Sequence, residues 1–186
     1  MAVPARERLG SVPTDRLTLD HQEAIEAFRE TRGVDLFGPF LPLLWSPELM
    51  KRTSAVGDYL RHGSAFPAHL SEFVILIAAR HWSQQYEWSL HCPIALKAGV
   101  DRAIVDAIAE GRRPQPMAEE QETLYDLSTE LIESGSVSDS TYSRALALFG
   151  EKGVIDAVGI VGYYTMLAMV LNTARTQPEP GGPLLP

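Results

Sequence analysis

Between Glu72 and Gly99 the chain has little freedom of fold. An acid, Glu72, is followed by seven consecutive apolar residues, Phe73 to Ala79. A run that is apolar on every side predicts a helix buried all round, with Glu72 at the edge of a core. The next polar residues fall as Gln84-x-x-Glu87-x-x-x-His91. Steps of three and four residues return to one helical face, so these three side chains align. The same stripe continues through Ile94, Ala95 and Ala98. Glu87 and His91 therefore stand where the pattern asks for apolar residues. An acid and an imidazole one turn apart on a buried stripe are costly unless they pair or take part in chemistry.

The rest of the composition narrows the class. A chain of 186 residues is one domain by default and long enough to bury a core without staples. Apolar residues make up 45% and charged residues 22%, the balance of a soluble globular protein. A net charge of −8, with no basic run longer than Arg112-Arg113, argues against a nucleic-acid partner and fits a cytoplasmic protein. The opening residues carry no apolar core of a signal peptide. The single cysteine, Cys92, excludes an internal disulfide or a dithiol centre within one chain. Ala157 to Leu171 is apolar but only 15 residues long, against about 20 for a membrane span. It reads as a buried or interface helix, so no membrane partner is expected.

Punctuation divides the chain into helices. Residues 1–17 are polar, with Pro4, Gly10 and Pro13, and read as a flexible arm. Asp20 is read as the N-cap of a helix reaching Arg32, which Gly33 ends. Gly38 to Leu44 is too rich in proline for a helix yet strongly apolar, as expected of a segment that covers a pocket. Ser46-Pro47-Glu48 starts the next helix, which stops near Gly63. Pro67 opens the central buried helix. A turn around Ser83 precedes the Glu87–His91 helix, and Pro93 should kink or restart it. Gly99 closes that helix and Asp101 caps the next, through Glu110. Three further helices are predicted over 118–134, 138–149 and 152–174, and the tail 176–186 reads as disordered. The helical domain thus spans 18–175. No alternating strand pattern appears, so the fold class is all-α.

Glu72, Glu87-Trp88-x-x-His91, Ala95 and Gly99 together resemble the carboxymuconolactone decarboxylase family of the alkyl hydroperoxidase D-like superfamily. Gly38-Pro39-Phe40, Ser46-Pro47-Glu48-Leu49, Gly57-Asp58-Tyr59-Leu60, Ala79-Arg80-His81-Trp82 and Gly162-Tyr163-Tyr164 add to the resemblance, which covers roughly residues 35–172. It implies a single-domain helical bundle of about seven to eight helices, a homo-oligomer (trimer or hexamer), and no metal or organic cofactor. The redox branch of the superfamily carries a Cys-x-x-Cys that would fall at Gln84 and Glu87. Neither is cysteine, and Cys92 lies off that face, so thiol peroxidase chemistry is not expected.

The resemblance implies a cofactor-independent carboxy-lyase acting on a small carboxylated lactone or a similar activated acid. His91 is the natural proton carrier. Glu87 would fix its tautomer, and a desolvated Glu72 would serve as a second acid. Arg80 or His81 would hold a substrate carboxylate, and Gln84 or Tyr86 would donate to a lactone carbonyl. The same acid–base pair also suits an isomerase, dehydratase or ring-opening enzyme. A non-catalytic oligomeric scaffold or small-acid binding protein is the alternative from another class. Glu87 and His91 are only two of the ligands a metal needs, and His62, His69 and His81 are not spaced to complete a set. Leu41, where the family often has a polar residue after Gly-Pro-Phe, suggests a less polar substrate.

Overall fold

The computed structural model describes residues 6–186, and the first residues of the predicted arm lie outside them. Eight α-helices and one 3-10 turn (Thr14–Arg16) make up the described chain, with no strand among those residues. They are α1 (Leu19–Arg32), α2 (Phe40–Leu43), α3 (Pro47–His62), α4 (Ala68–His81), α5 (Gln85–Ala98), α6 (Arg102–Ala109), α7 (Glu119–Ser134) and α8 (Asp139–Ala174). The all-α single domain is as expected.

Helix α4 is the axle. Leu70 and every residue from Glu72 to Ala79 are buried, because α5, α6, α7 and α8 pack around it. Helices α1 and α3 pair beside this core, and α2 bridges α3 and α8. The Gly38–Leu44 segment does lie over the interior, with Phe40 and Leu43 buried. Phe28, Phe37 and Phe40 meet there, ring centroids 4.7–6.0 Å apart, partly edge to face. Gly38 is required in that turn. It has φ +51, and a Cβ would come within 2.5 Å of the Tyr86 ring.

Several boundaries follow the predicted chemistry. Asp101 accepts from the Ala103 amide, Ser138 from the Thr141 amide, and Gly99 ends α5 in the left-handed region. The predicted break near residue 150 is a kink inside α8, where Gly150 takes φ 64 and ψ 179. α8 is the one described helix long and apolar enough to cross a membrane by composition. More than half of its most apolar window is buried within the domain.

Several expectations are corrected. The Gly38–Leu44 segment, read as too rich in proline for a helix, contains the short helix α2, whose Pro39 and Pro42 stand at its first turn. Thr18, not Asp20, precedes α1. Its hydroxyl lies 2.7 Å from His21 Nδ1, which also accepts the Thr18 amide. Helix α5 does not restart after His91 but runs through Pro93 to Ala98. The proline forfeits one hydrogen bond, and packing on α4 holds the helix across the gap. The C-terminal tail is not loose. Gln85 pairs with both the amide and the carbonyl of Leu185, whose side chain is buried. The described part of the arm is docked too: Val12 is buried and Trp45 donates to the Gly10 carbonyl.

Candidate active site

Three ionisable side chains form a line across the interface of α4 and α5. His91 Nδ1 lies 2.7 Å from Glu72 Oε2, and His91 Nε2 lies 3.4 Å from Glu87 Oε2. All three are buried. The buried run of α4 delivers Glu72, and the i, i+4 step on α5 delivers Glu87 and His91 to the same side. Glu72, not Glu87, makes the short bond that orients the imidazole. Nε2 is left with only a long contact to Glu87, so it keeps hydrogen-bonding capacity for another group.

Burial pushes the Glu87 carboxyl up to about 7; the imidazole of His91 partly offsets this and the charge of Glu72 adds to it. Its Oε1 is buried and has no hydrogen-bond partner. Burial pushes the His91 pKa down, but the bond and charge of Glu72, with the charge of Glu87, more than offset it and leave it raised. An imidazole with a raised pKa beside a carboxyl whose pKa lies near 7 is an arrangement suited to passing protons.

The line opens on a cavity in two parts. An inner chamber of about 30 Å³ is walled by Glu87, His91, Tyr86, Tyr163, Tyr164 and Leu167 among others. That is room for about one water or one reacting group. Pro39 and Phe40 also line it, as expected of the proline-rich segment. An outer cleft of about 420 Å³, a size suited to a small molecule, continues past Phe37, Leu90 and Ile94. Arg32, Phe37, Arg61, Leu90 and His91 line both parts. The Tyr164 ring stands edge-on to His91 at 5.1 Å, and Tyr163 packs on Tyr164 in turn.

The other predicted site residues are placed elsewhere or otherwise engaged. Arg80 and His81 line a separate cavity of about 210 Å³ on another side of α4, with Ile77 and Ile108. Arg80 donates to the Ala109 carbonyl and pairs with neither Glu72 nor Glu87. At 3.6 residues per turn Arg80 lies about a quarter turn round α4 from Glu72, and His81 about half a turn. Gln84 is the N-cap of α5, accepting from the Tyr86 and Glu87 amides and donating to Asn172. Tyr86 borders the inner chamber, but its hydroxyl donates to Glu179 of the tail at 2.7 Å. As for metals, Glu72, His91 and Glu87 lie in series through the imidazole. Among the described residues no group of three or more such side chains gathers as a ligand set.

No protein-family model and no curated protein matches the chain. Solved structures do. An uncharacterized peroxidase-related protein from Silicibacter sp. TM1040 superposes with a TM-score of 0.73 at 13% identity, covering 96% of each chain. The debrominase Bmp8 in its apo form gives 0.70 at 14% identity, over 92% of this chain and 91% of its own. An alkylhydroperoxidase AhpD core protein from Ralstonia eutropha JMP134 gives 0.68 at 16%, over 94% of each. The chain has the AhpD-like fold. At these identities the likeness concerns the fold, and the AhpD-like frame leaves the chemistry to the residues set in it.

Within the AhpD-like frame, sequence reasoning gave no site role to Arg32, Arg61, Tyr163 or Tyr164. The tyrosine pair had a signal, two hydroxyls in the apolar stretch of α8. The two arginines had none, since a basic residue in the last turn of a helix is what the helix dipole favours anyway.

Proposed function

We propose that this protein is an enzyme that transfers protons beside a carbonyl without a cofactor, in the manner of a carboxymuconolactone decarboxylase. The observation that carries this reading is the buried carboxylate–imidazole–carboxyl line ending at an unpartnered Glu87 oxygen beside a chamber for one small group. Buried carboxyls that serve structure are normally satisfied, as Asp156 is by three donors.

In a decarboxylation the bond between the carboxylate and the α-carbon breaks and CO2 leaves. The bonding electrons pass into the conjugated lactone carbonyl as a dienolate, and a proton returns to carbon. His91, protonated and oriented by Glu72, delivers that proton from Nε2. Glu87, close to half-protonated near neutrality, reloads the imidazole. The same groups serve an isomerisation or dehydration through an enolate. The nearest competing reading is a non-catalytic small-acid binder. Assembly as a homo-oligomer belongs to the proposal and is supported by exposed apolar side chains on α8, Ile155, Val158 and Met169.

The test compares wild type with His91→Ala on carboxymuconolactone, following CO2 release and solvent deuterium incorporation. Loss of both in the variant is expected. Deuterium uptake without CO2 moves the reaction to isomerisation or dehydration. Equal activity in the folded variant sinks the role of His91.

A further inference from the structure

We infer that Arg61, backed by Arg32, is the carboxylate-binding element of this cleft, and that the ligand is a compact acid with an apolar body. The inference rests on the acid–base reading above for the identity of the reacting end, and assigns the group that holds the other.

Arg61 projects from the last turn of α3 and lines both the inner chamber and the outer cleft, as His91 does. Its charge is felt at the His91 imidazole, so the two groups share one site. Arg29, Arg32, Arg52, Arg112, Arg113 and Arg144 all sit within 4 Å of an acid. The Arg61 side chain has no hydrogen bond or ion pair among the described residues. A guanidinium without a partner at the mouth of an active-site cleft offers a bidentate fork for a carboxylate.

Arg32 supplies the second, independent observation. Its side chain is only 10% exposed, and it reaches Asp58 at 2.9 Å through one terminal nitrogen. It stacks over Phe28 and Phe40, yet its buried Nε has no partner. Its charge is shared with Asp58, which also lines the outer cleft, but the unspent Nε–H leaves a buried donor on the wall of the same cavity. The outer cleft also has apolar walls, from Val34, Phe37, Leu90 and Ile94. An acid anchored at Arg61 sets its apolar body against those side chains and its reacting carbon toward His91.

Benzoate and benzamide probe this directly, since they share shape and differ in charge. Wild type is expected to bind benzoate saturably at millimolar concentration or better, and benzamide at least about 10-fold more weakly. Arg61→Gln should erase that preference, leaving benzamide binding unchanged. Benzoate, unlike benzamide, should also slow phenylglyoxal modification of Arg61 in wild type, a readout that does not depend on the variant folding. Absence of benzoate binding, an unaltered preference in a folded Arg61→Gln, or no protection of Arg61 overturns the inference. His91→Asn separates the two readings. If it retains the carboxylate preference and still turns over carboxymuconolactone, the acid–base reading fails while the Arg61 assignment stands.

Discussion

The protein buries carboxylates in two places and treats them in opposite ways. Asp156, in the middle of α8, accepts from the Tyr59 hydroxyl at 2.9 Å, the Ala65 amide at 2.8 Å and Lys152 Nζ at 2.6 Å. Burial raises its pKa, but these three donors outweigh it, and the carboxyl sits below its ordinary range. Glu87 is buried with one oxygen bonded to nothing and the other 3.4 Å from an imidazole, and its pKa rises to about 7. The first acid ties α8 to α3 and the loop after it. The second keeps one oxygen without a partner beside a cavity. A satisfied buried charge holds a structure together, whereas an unsatisfied one is tolerated where the group has work to do.

Exchanging each acid for its amide should divide the two sites cleanly. Glu87→Gln keeps the shape and removes the costly charge, so stability should hold or rise while turnover falls about 10²–10⁴-fold. Asp156→Asn leaves Lys152 and two further donors poorly matched, and should cost about 2–4 kcal/mol with turnover intact in the folded fraction. Chemical denaturation and carboxymuconolactone turnover on the same preparations check both. A Glu87→Gln variant that is unstable yet active would invert the comparison.

Acidity separates the sites by sign. Glu87 is raised from 4.5 to about 7, so between those values the folded state holds a proton that the unfolded chain has released. That contribution is present below pH 4.5 and lost as pH rises through 7. His91, also raised, acts the same way: its contribution is present below its ordinary 6.5 and lost as pH rises through the higher folded value. Asp156, lowered from 3.8, contributes above 3.8 and loses that contribution as pH falls through its folded value. Wild type should therefore lose on the order of 1–3 kcal/mol between pH 5 and 8 relative to Glu87→Gln. Melting temperatures of the two proteins across that range measure it; parallel curves would contradict the placement of Glu87.

What the sequence made legible follows the reach of local rules. Seven apolar residues after Glu72 forced a buried helix, and the four-residue step from Glu87 to His91 forced a shared face. The caps at Asp101 and Ser138 depend only on neighbours in the chain. The pocket-covering role of Gly38–Leu44 was legible because apolar prolines have little reason to sit in solvent. Arg80 and His81 were attractive as cations near the motif, but the rotation of α4 carries them to another cavity. Arg32 and Arg61 reach the cleft from helices far away in sequence, and nothing in their neighbourhoods distinguishes them from ordinary helix-end cations. Asp156 was likewise hidden, since its three donors come from α3, the loop after it and one turn of α8. Long-range pairing leaves no periodic trace.

The smallest effect concerns the tail, which a Pro- and Gly-rich composition made look disordered. Composition cannot register that Gln85 offers both an acceptor and a donor to Leu185, or that Ser89 Oγ accepts the Glu179 amide. Those contacts fasten residues 179–185 along α5, the helix that carries Glu87 and His91. The Tyr86 hydroxyl joins them by donating to Glu179 while its ring walls the inner chamber. Tyr86→Phe removes one charge-assisted bond and keeps the ring, so it should cost about 1 kcal/mol, concentrated in the tail. Hydrogen exchange should show faster exchange at Glu179 and Gly182 with the core of α4 unchanged. If turnover is also unchanged, the tail only fastens α5. A fall in turnover with global stability intact means that the Tyr86–Glu179 bond positions the chamber wall beside Glu87, and the boundary between the structural and the reacting region then passes through Tyr86.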